Sequence, residues 1–201
     1  MSGKRPGPRC VAALLVAALP FMACPLFASA ADPAAGRNKA QVCAACHGAA
    51  GNSANPAVPS LAGQPAQFIA TQLIMFREGN RKDPQMSPAA ANMTNTDIND
   101  LAAYFSAQPL VSSARITAPA TVAAGRRLSE QYHCVSCHGP ALKGQQHIPR
   151  LAGQQLEYLR TQLRGFKAGT RFDMDGNMTS AAHALSDTDV AILADYLAGL
   201  K

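Results

Sequence analysis

The chain of 201 residues has no tryptophan, and aromatics make up only 5% of it. A core so poor in aromatics is thin for its length, and large flat cofactors buried inside would supply the missing apolar surface. No stretch sustains the alternation of apolar and polar residues that a half-buried strand needs, which excludes a sheet as the organising element. Long apolar runs are missing too. Val11 to Leu19 is apolar but short, and Pro20 and Pro25 interrupt the residues after it. Crossing a bilayer takes about 20 apolar residues, so this run predicts no membrane anchor.

That run has another reading. Lys4, Arg5 and Arg9 precede it, and Ala28-Ser29-Ala30 comes after it as a small-x-small site. The order matches a secretion signal over residues 1–30, cut after Ala30. Its removal would take Cys10 and Cys24 from a total of 6 cysteines, leaving Cys43, Cys46, Cys134 and Cys137. None is then left for a disulfide outside these two pairs. It would also take three of the 18 Lys and Arg and none of the 12 Asp and Glu, leaving 15 against 12 and a charge of +3. So small an excess predicts no nucleic-acid partner and no membrane surface beyond peripheral association.

The distinctive residues are concentrated in two pentapeptides. CAACH holds Cys43, Cys46 and His47, and CVSCH holds Cys134, Cys137 and His138. Two thiols one helical turn apart can each bond one vinyl group of a haem, and the next residue then lies under the iron. A Cys-x-x-Cys pair alone could be half a zinc site or a thioredoxin-like redox pair. Neither alternative explains the trailing histidine twice. The motifs predict two covalently bound haem c groups.

The remainder of the exported chain is one unit written twice. VPSLAGQ (58–64) matches IPRLAGQ (148–154), and Thr71-Gln72-Leu73 matches Thr161-Gln162-Leu163. Phe76, Gly79 and Arg81 match Phe166, Gly169 and Arg171, and Tyr104 matches Tyr196. Each unit reads as helical. A first helix runs into the pentapeptide from about Pro33 and about Val122. A second spans about Gln67 to Arg77 and about Gln155 to Lys167, with Phe68, Ile69, Leu73 and Phe76 on one face, mirrored by Tyr158, Leu159, Leu163 and Phe166. A third starts at Thr94 and Ser186, each completing a capping box with an aspartate three residues on. The division is therefore 31–109 and 120–201, joined by a linker over 110–119.

An iron held by one histidine needs a sixth ligand or stays open. Met86 and Met178 sit at matching places before the last helix and are the candidate thioether ligands. The alternative is that they are core methionines. Met174, in the polar loop FDMDGN, rivals Met178. Met75 and Met93 have no methionine counterpart and read as packing residues. His133, His147 and His183 also lack counterparts and read as loop or surface side chains. Carbonyls near Pro59 and Pro149 are candidates to accept the Nδ1–H of His47 and His138. Arg81 and Arg171 are candidates for the haem propionates, against the plainer reading of solvated loop charges. Tyr104 and Tyr196 read as packing residues.

With these residues in hand, the chain resembles the di-haem cytochrome c4 family. The likeness covers the whole exported segment and rests on the two CxxCH motifs, the paired PxLAGQ runs, the TQL–F–G–R segments, Met86 and Met178. It implies an all-α fold of two tandem class I cytochrome c domains with their haem edges facing. It further implies axial pairs His47–Met86 and His138–Met178. A soluble or peripherally attached periplasmic monomer would then carry electrons from a cytochrome bc complex to a terminal oxidase. With both irons closed there is no vacant position for a substrate, so an electron-transfer protein is expected, not an enzyme. The alternatives are an electron-transfer subunit of a periplasmic dehydrogenase, such as a sulfide-oxidising flavocytochrome, and, further off, a di-haem peroxidase.

Overall fold

The computed structural model describes residues 3, 30–111 and 115–201. Except for Gly3 and Ala30, the expected export signal lies outside the described residues, as do residues 112–114 of the expected linker. Helices carry the structure. In the first unit they are α1 (Pro33–Lys39), α2 (Ala44–His47), α3 (Ala66–Arg77), α4 (Met86–Ala90) and α5 (Asn95–Ser106). In the second they are α6 (Pro119–Gln131), α7 (Cys134–His138), α8 (Leu156–Lys167), α9 (Asn177–His183) and α10 (Asp187–Ala198). No strand forms among the described residues; a lone bridge joins Gln145 and Ile148.

The starts of α1, α5, α6 and α10 have a local chemical cause. Pro33 and Pro119 open α1 and α6, where a missing N–H costs nothing. Asp32 caps α1 by accepting from the Ala34 N–H at 2.8 Å. Both expected capping boxes form. Thr94 Oγ1 accepts from the Asp97 N–H at 3.1 Å while Asp97 accepts from the Thr94 N–H at 2.9 Å. Ser186 and Asp189 repeat the same pair of bonds at 3.1 and 2.9 Å.

The first helix of each unit does not run into the pentapeptide. In the second unit His133 is left-handed (φ 54°) between α6 and α7, and an α-helix of L-residues cannot continue through that conformation. In the first unit a turn closed by Cys43 N–H to the Ala40 carbonyl (3.0 Å) separates α1 from α2. The pentapeptide is its own short helical turn in both. The helix start near Val122 is also earlier than expected, at Pro119.

The first helix of each unit crosses the last, α1 on α5 and α6 on α10, and the third packs beside it, α3 on α5 and α8 on α10. The crossings are backbone-close. A Cβ on Gly36 would stand 2.0 Å from the Asp100 carbonyl oxygen, and one on Gly125 would stand 2.2 Å from Tyr196 Cβ. Only glycine fits there. Ile69, Leu73, Ile98, Leu101 and Phe105 form the first core, and Leu128, Leu163, Phe166, Val190 and Leu193 are central to the second. Ile69, Leu73 and Phe76, with Leu159, Leu163 and Phe166, are buried as their helical spacing requires.

Candidate haem sites

Each pentapeptide displays its two thiols along one turn. Cys46 and Cys137 are exposed, Cys43 and Cys134 half-buried, and none of the four is in a disulfide. Burial pushes the Cys43 and Cys134 thiols above their ordinary range. The histidines next in the chain, His47 and His138, are both buried. His47 Nδ1 lies 2.9 Å from the Pro59 carbonyl oxygen, and His138 Nδ1 lies 2.8 Å from that of Pro149. A carbonyl only accepts, so Nδ1 carries the proton and Nε2 keeps its lone pair. Burial holds both imidazoles below their usual range, with the proline carbonyls opposing it. Neutral and oriented, each ring is ready to ligate through Nε2. Gly48 turns the chain sharply after the first histidine: at φ 76° a Cβ there would stand 2.0 Å from the Asn52 carbonyl oxygen.

The methionines differ in setting. Met86 opens α4, is half-buried and packs on the first core; Met178, in the first turn of α9, packs on the second. Met174 is 72% exposed, Met75 lies in the core and Met93 packs on it. A pair of aspartates assigned no role on sequence holds the methionine segments. Asp83 accepts from the Met86 N–H at 2.9 Å, and Asp173 from the Met178 N–H at 2.8 Å. The two aspartates align in the repeat, and that alignment was the available signal. His133 and His183 are exposed, and His147 lies 3.5 Å from Asp175.

The two units meet around a polar cluster. Arg81 stacks over Phe76 and Arg171 over Phe166, at 4.5 and 4.4 Å. Across the boundary, Arg81 donates to Tyr158 Oη and Gln162 Oε1, each at 3.2 Å, and Arg171 reaches Gln72 Oε1 at 3.4 Å. Burial first, then the neighbouring Arg81 charge, pushes the Arg171 guanidinium down to about 10. Burial would raise the Tyr158 phenol, but Arg81 and Arg171 outweigh it and hold it below its usual value. Tyr196 packs over Gly125 and Tyr104 against Phe105, as expected of packing residues.

These residues fit covalent haem. Each unit has paired free thiols and a histidine with one nitrogen spent and one available. Arg81 and Arg171 form no ion pair among the described residues, and Arg171 Nε is buried without a hydrogen-bond partner. A largely desolvated Arg171 beside a half-buried Arg81, neither held in an ion pair, suits an anionic partner such as a propionate. No three His, Cys, Asp or Glu side chains gather as a metal-binding cluster among the described residues, so the zinc reading of the cysteine pairs finds no ligand set.

Known proteins agree. The family model for cytochrome c matches residues 34–108 and 122–201. Cytochrome c4 of Pseudomonas aeruginosa is 38% identical over 184 residues, covering 86% of this chain and 90% of that protein. The thiosulfate dehydrogenase electron acceptor of Stutzerimonas stutzeri is 38% identical over 172 residues, covering 80% of each. Among solved structures, reduced recombinant cytochrome c4 from Pseudomonas stutzeri superposes with a TM-score of 0.79 at 33% identity, over 86% of this chain and 100% of that one. Fold, motifs and relatives define a di-haem c-type cytochrome, an electron carrier and not an enzyme, with a covalent haem c in each domain. The chain belongs to the cytochrome c4 family.

Proposed function

We propose that this protein shuttles electrons in the periplasm from a cytochrome bc complex to a terminal oxidase, with His47–Met86 and His138–Met178 as its axial pairs. Residues 1–30 would be its export signal, and 31–109 and 120–201 its two haem domains, flanking the linker 110–119. It works as a monomer, associating with the membrane at most peripherally. The observation that carries this reading is the repeated pairing of a Pro-oriented, buried histidine with a core-packed methionine whose backbone is pinned by an aspartate. Haem supplies the one-electron couple. The chain contributes the rest. The Pro59 and Pro149 carbonyls hold each imidazole with Nε2 forward. Met86 and Met178 offer thioethers, which raise the potential relative to a second nitrogen. Arg81 and Arg171 provide positive charge between the units. None of the described helices is long and apolar enough to cross a membrane.

A second reading has specific support. Two relatives carry the name thiosulfate dehydrogenase electron acceptor, one at 38% identity over 172 residues and one at 35% over 190. The chain also superposes at a TM-score of 0.75 on 40% of a thiosulfate dehydrogenase chain from Marichromatium purpuratum. On this reading the donor is a periplasmic sulfur-compound dehydrogenase. Purified protein mixed with membranes from its host separates the two. Reduction by quinol that stops when the bc complex is inhibited supports the respiratory shuttle. Reduction by thiosulfate with soluble periplasmic extract, and none by quinol, replaces it with the second reading.

A further inference from the structure

The two glutamines that end the LAGQ runs reach out of their own domains. Gln154 belongs to the second unit, yet its Oε1 accepts from the Ser60 N–H at 2.8 Å and its Nε2 donates to the Ser60 carbonyl at 2.9 Å. Gln64 of the first unit does the same to Arg150, at 2.9 and 3.0 Å. Gln64 and Gln154 are 3% and 5% exposed. Burial of both in so symmetric a clasp could serve only to join the domains. The identity of the peptides they grip says more.

The Ser60 N–H belongs to the Pro59–Ser60 peptide, and the carbonyl of that same peptide accepts from His47 at 2.9 Å. Likewise the Arg150 N–H belongs to the Pro149–Arg150 peptide, whose carbonyl accepts from His138 at 2.8 Å. An amide is one resonant unit, so a hydrogen bond donated by its N–H moves charge onto its oxygen. The more negative oxygen binds Nδ1–H more strongly, and the imidazole becomes a more basic ligand at Nε2. A more basic ligand favours the higher charge on iron and lowers the reduction potential.

We propose that each glutamine sets the potential of the haem in the opposite domain: Gln154 acts on the first haem through the Pro59–Ser60 peptide, and Gln64 acts on the second through Pro149–Arg150. They are positioning residues, acting through the histidines. The inference rests on His47 and His138 being axial ligands.

The test uses the full-length, haem-loaded protein, with the two potentials resolved by redox titration followed by NMR of assigned haem methyls. Gln154→Leu raises the potential of the first haem and leaves the second in place; Gln64→Leu does the reverse. The expected size is about threefold in the reduction equilibrium, or about 28 mV at 59 mV per tenfold for one electron. In the reduced Gln154→Leu protein the His47 Nδ1–H resonance also moves upfield, reporting the weaker bond to Pro59. Gln155→Ala is the control. It removes another cross-domain bond, from Nε2 to the Ser53 carbonyl at 2.5 Å, without touching either peptide, and leaves both potentials unchanged. Where Gln154→Leu fails to accumulate, Gln154→Met removes the acceptor at similar length. A shift confined to the haem of the same domain, equal shifts in both, or no shift overturns the proposal. Failure of the axial-ligand reading is separate: it shows in the unsubstituted protein, as a haem lacking the low-spin His–Met signature.

Discussion

Asp83 and Met86 are tied through the backbone: the aspartate Oδ1 accepts from both the Gln85 and the Met86 N–H, each at 2.9 Å. The second domain builds the equivalent clamp differently. Asp173 accepts from the Met178 N–H at 2.8 Å and from Thr179 through both its N–H and its hydroxyl, at 3.1 and 2.6 Å. The two loops differ in sequence and in length, yet in both an aspartate accepts from the methionine N–H at the start of the next helix.

That clamp leads to the first prediction. Oxidised protein shows the weak far-red sulfur-to-iron band with intensity for two irons. Met86→Ala and Met178→Ala each remove about half of it, and the double variant removes it all. Met174→Ala leaves it intact, because that side chain is 72% exposed. Loss of half the band in Met174→Ala would move the second ligand to that residue. Asp83→Ala keeps the band at room temperature but lets it bleach at a lower temperature on heating.

The glycine crossings make a prediction about stability. Gly125→Ala puts a methyl 2.2 Å from Tyr196 Cβ, a contact that only separation of α6 and α10 can relieve. Overpacking of this kind costs about 1–3 kcal/mol. A domain of this size then melts several degrees lower. Gly176→Ala has no atom within 4 Å of the added carbon, so any loss there comes only from its left-handed backbone (φ 72°). An unchanged melting temperature for Gly125→Ala, measured by calorimetry, would show that the crossing is not crowded.

The acidic cluster under α1 predicts a pH dependence. Lys39 Nζ lies 2.6 Å from Asp100 and 2.8 Å from Asp97. Its ammonium, more than the Thr94 bonds to Asp97 or the Asp32 N–H bond to Asp100, holds both carboxyls below their usual range. A carboxyl depressed in the folded state contributes stability that is present above its unfolded pKa, about 4, and lost as pH falls through the folded value. Lys39→Met should therefore melt below the parent at about pH 6 to 7, and the gap should close as pH drops below about 3. A gap that stays constant over that range would mean Lys39 stabilises through its aliphatic stem alone.

Helices α3, α5, α8 and α10, the two capping boxes and the two haem motifs are legible in the sequence because each depends on residues close together in the chain. Thr94 needs only Asp97, and Cys43 needs only Cys46 and His47. The repeat carried the reading further, since it singled out Met86 and Met178 and flagged Pro59 and Pro149 without any structure. The hidden part depends on which unit faces which. Gln64 and Gln154 stood in plain view as repeated letters, but their bonds run 86 and 94 residues along the chain. For Arg81 and Arg171 the sequence leaves propionates and solvent as alternatives. Neither reading anticipated that they would stack on Phe76 and Phe166 and share Gln72, Gln162 and Tyr158. The break at His133 is invisible in the sequence because a left-handed histidine leaves no periodic trace.

One porphyrin bonded to each cysteine pair is the claim on which the rest stands. Mass spectrometry of the exported, denatured protein tests this directly, since thioether bonds survive denaturation. The expected mass is that of the polypeptide from Ala31 onward plus two haems, with peptides spanning Cys43–Cys46 and Cys134–Cys137 each carrying one. A mass equal to the bare polypeptide, or one haem shared between the pairs, would contradict it.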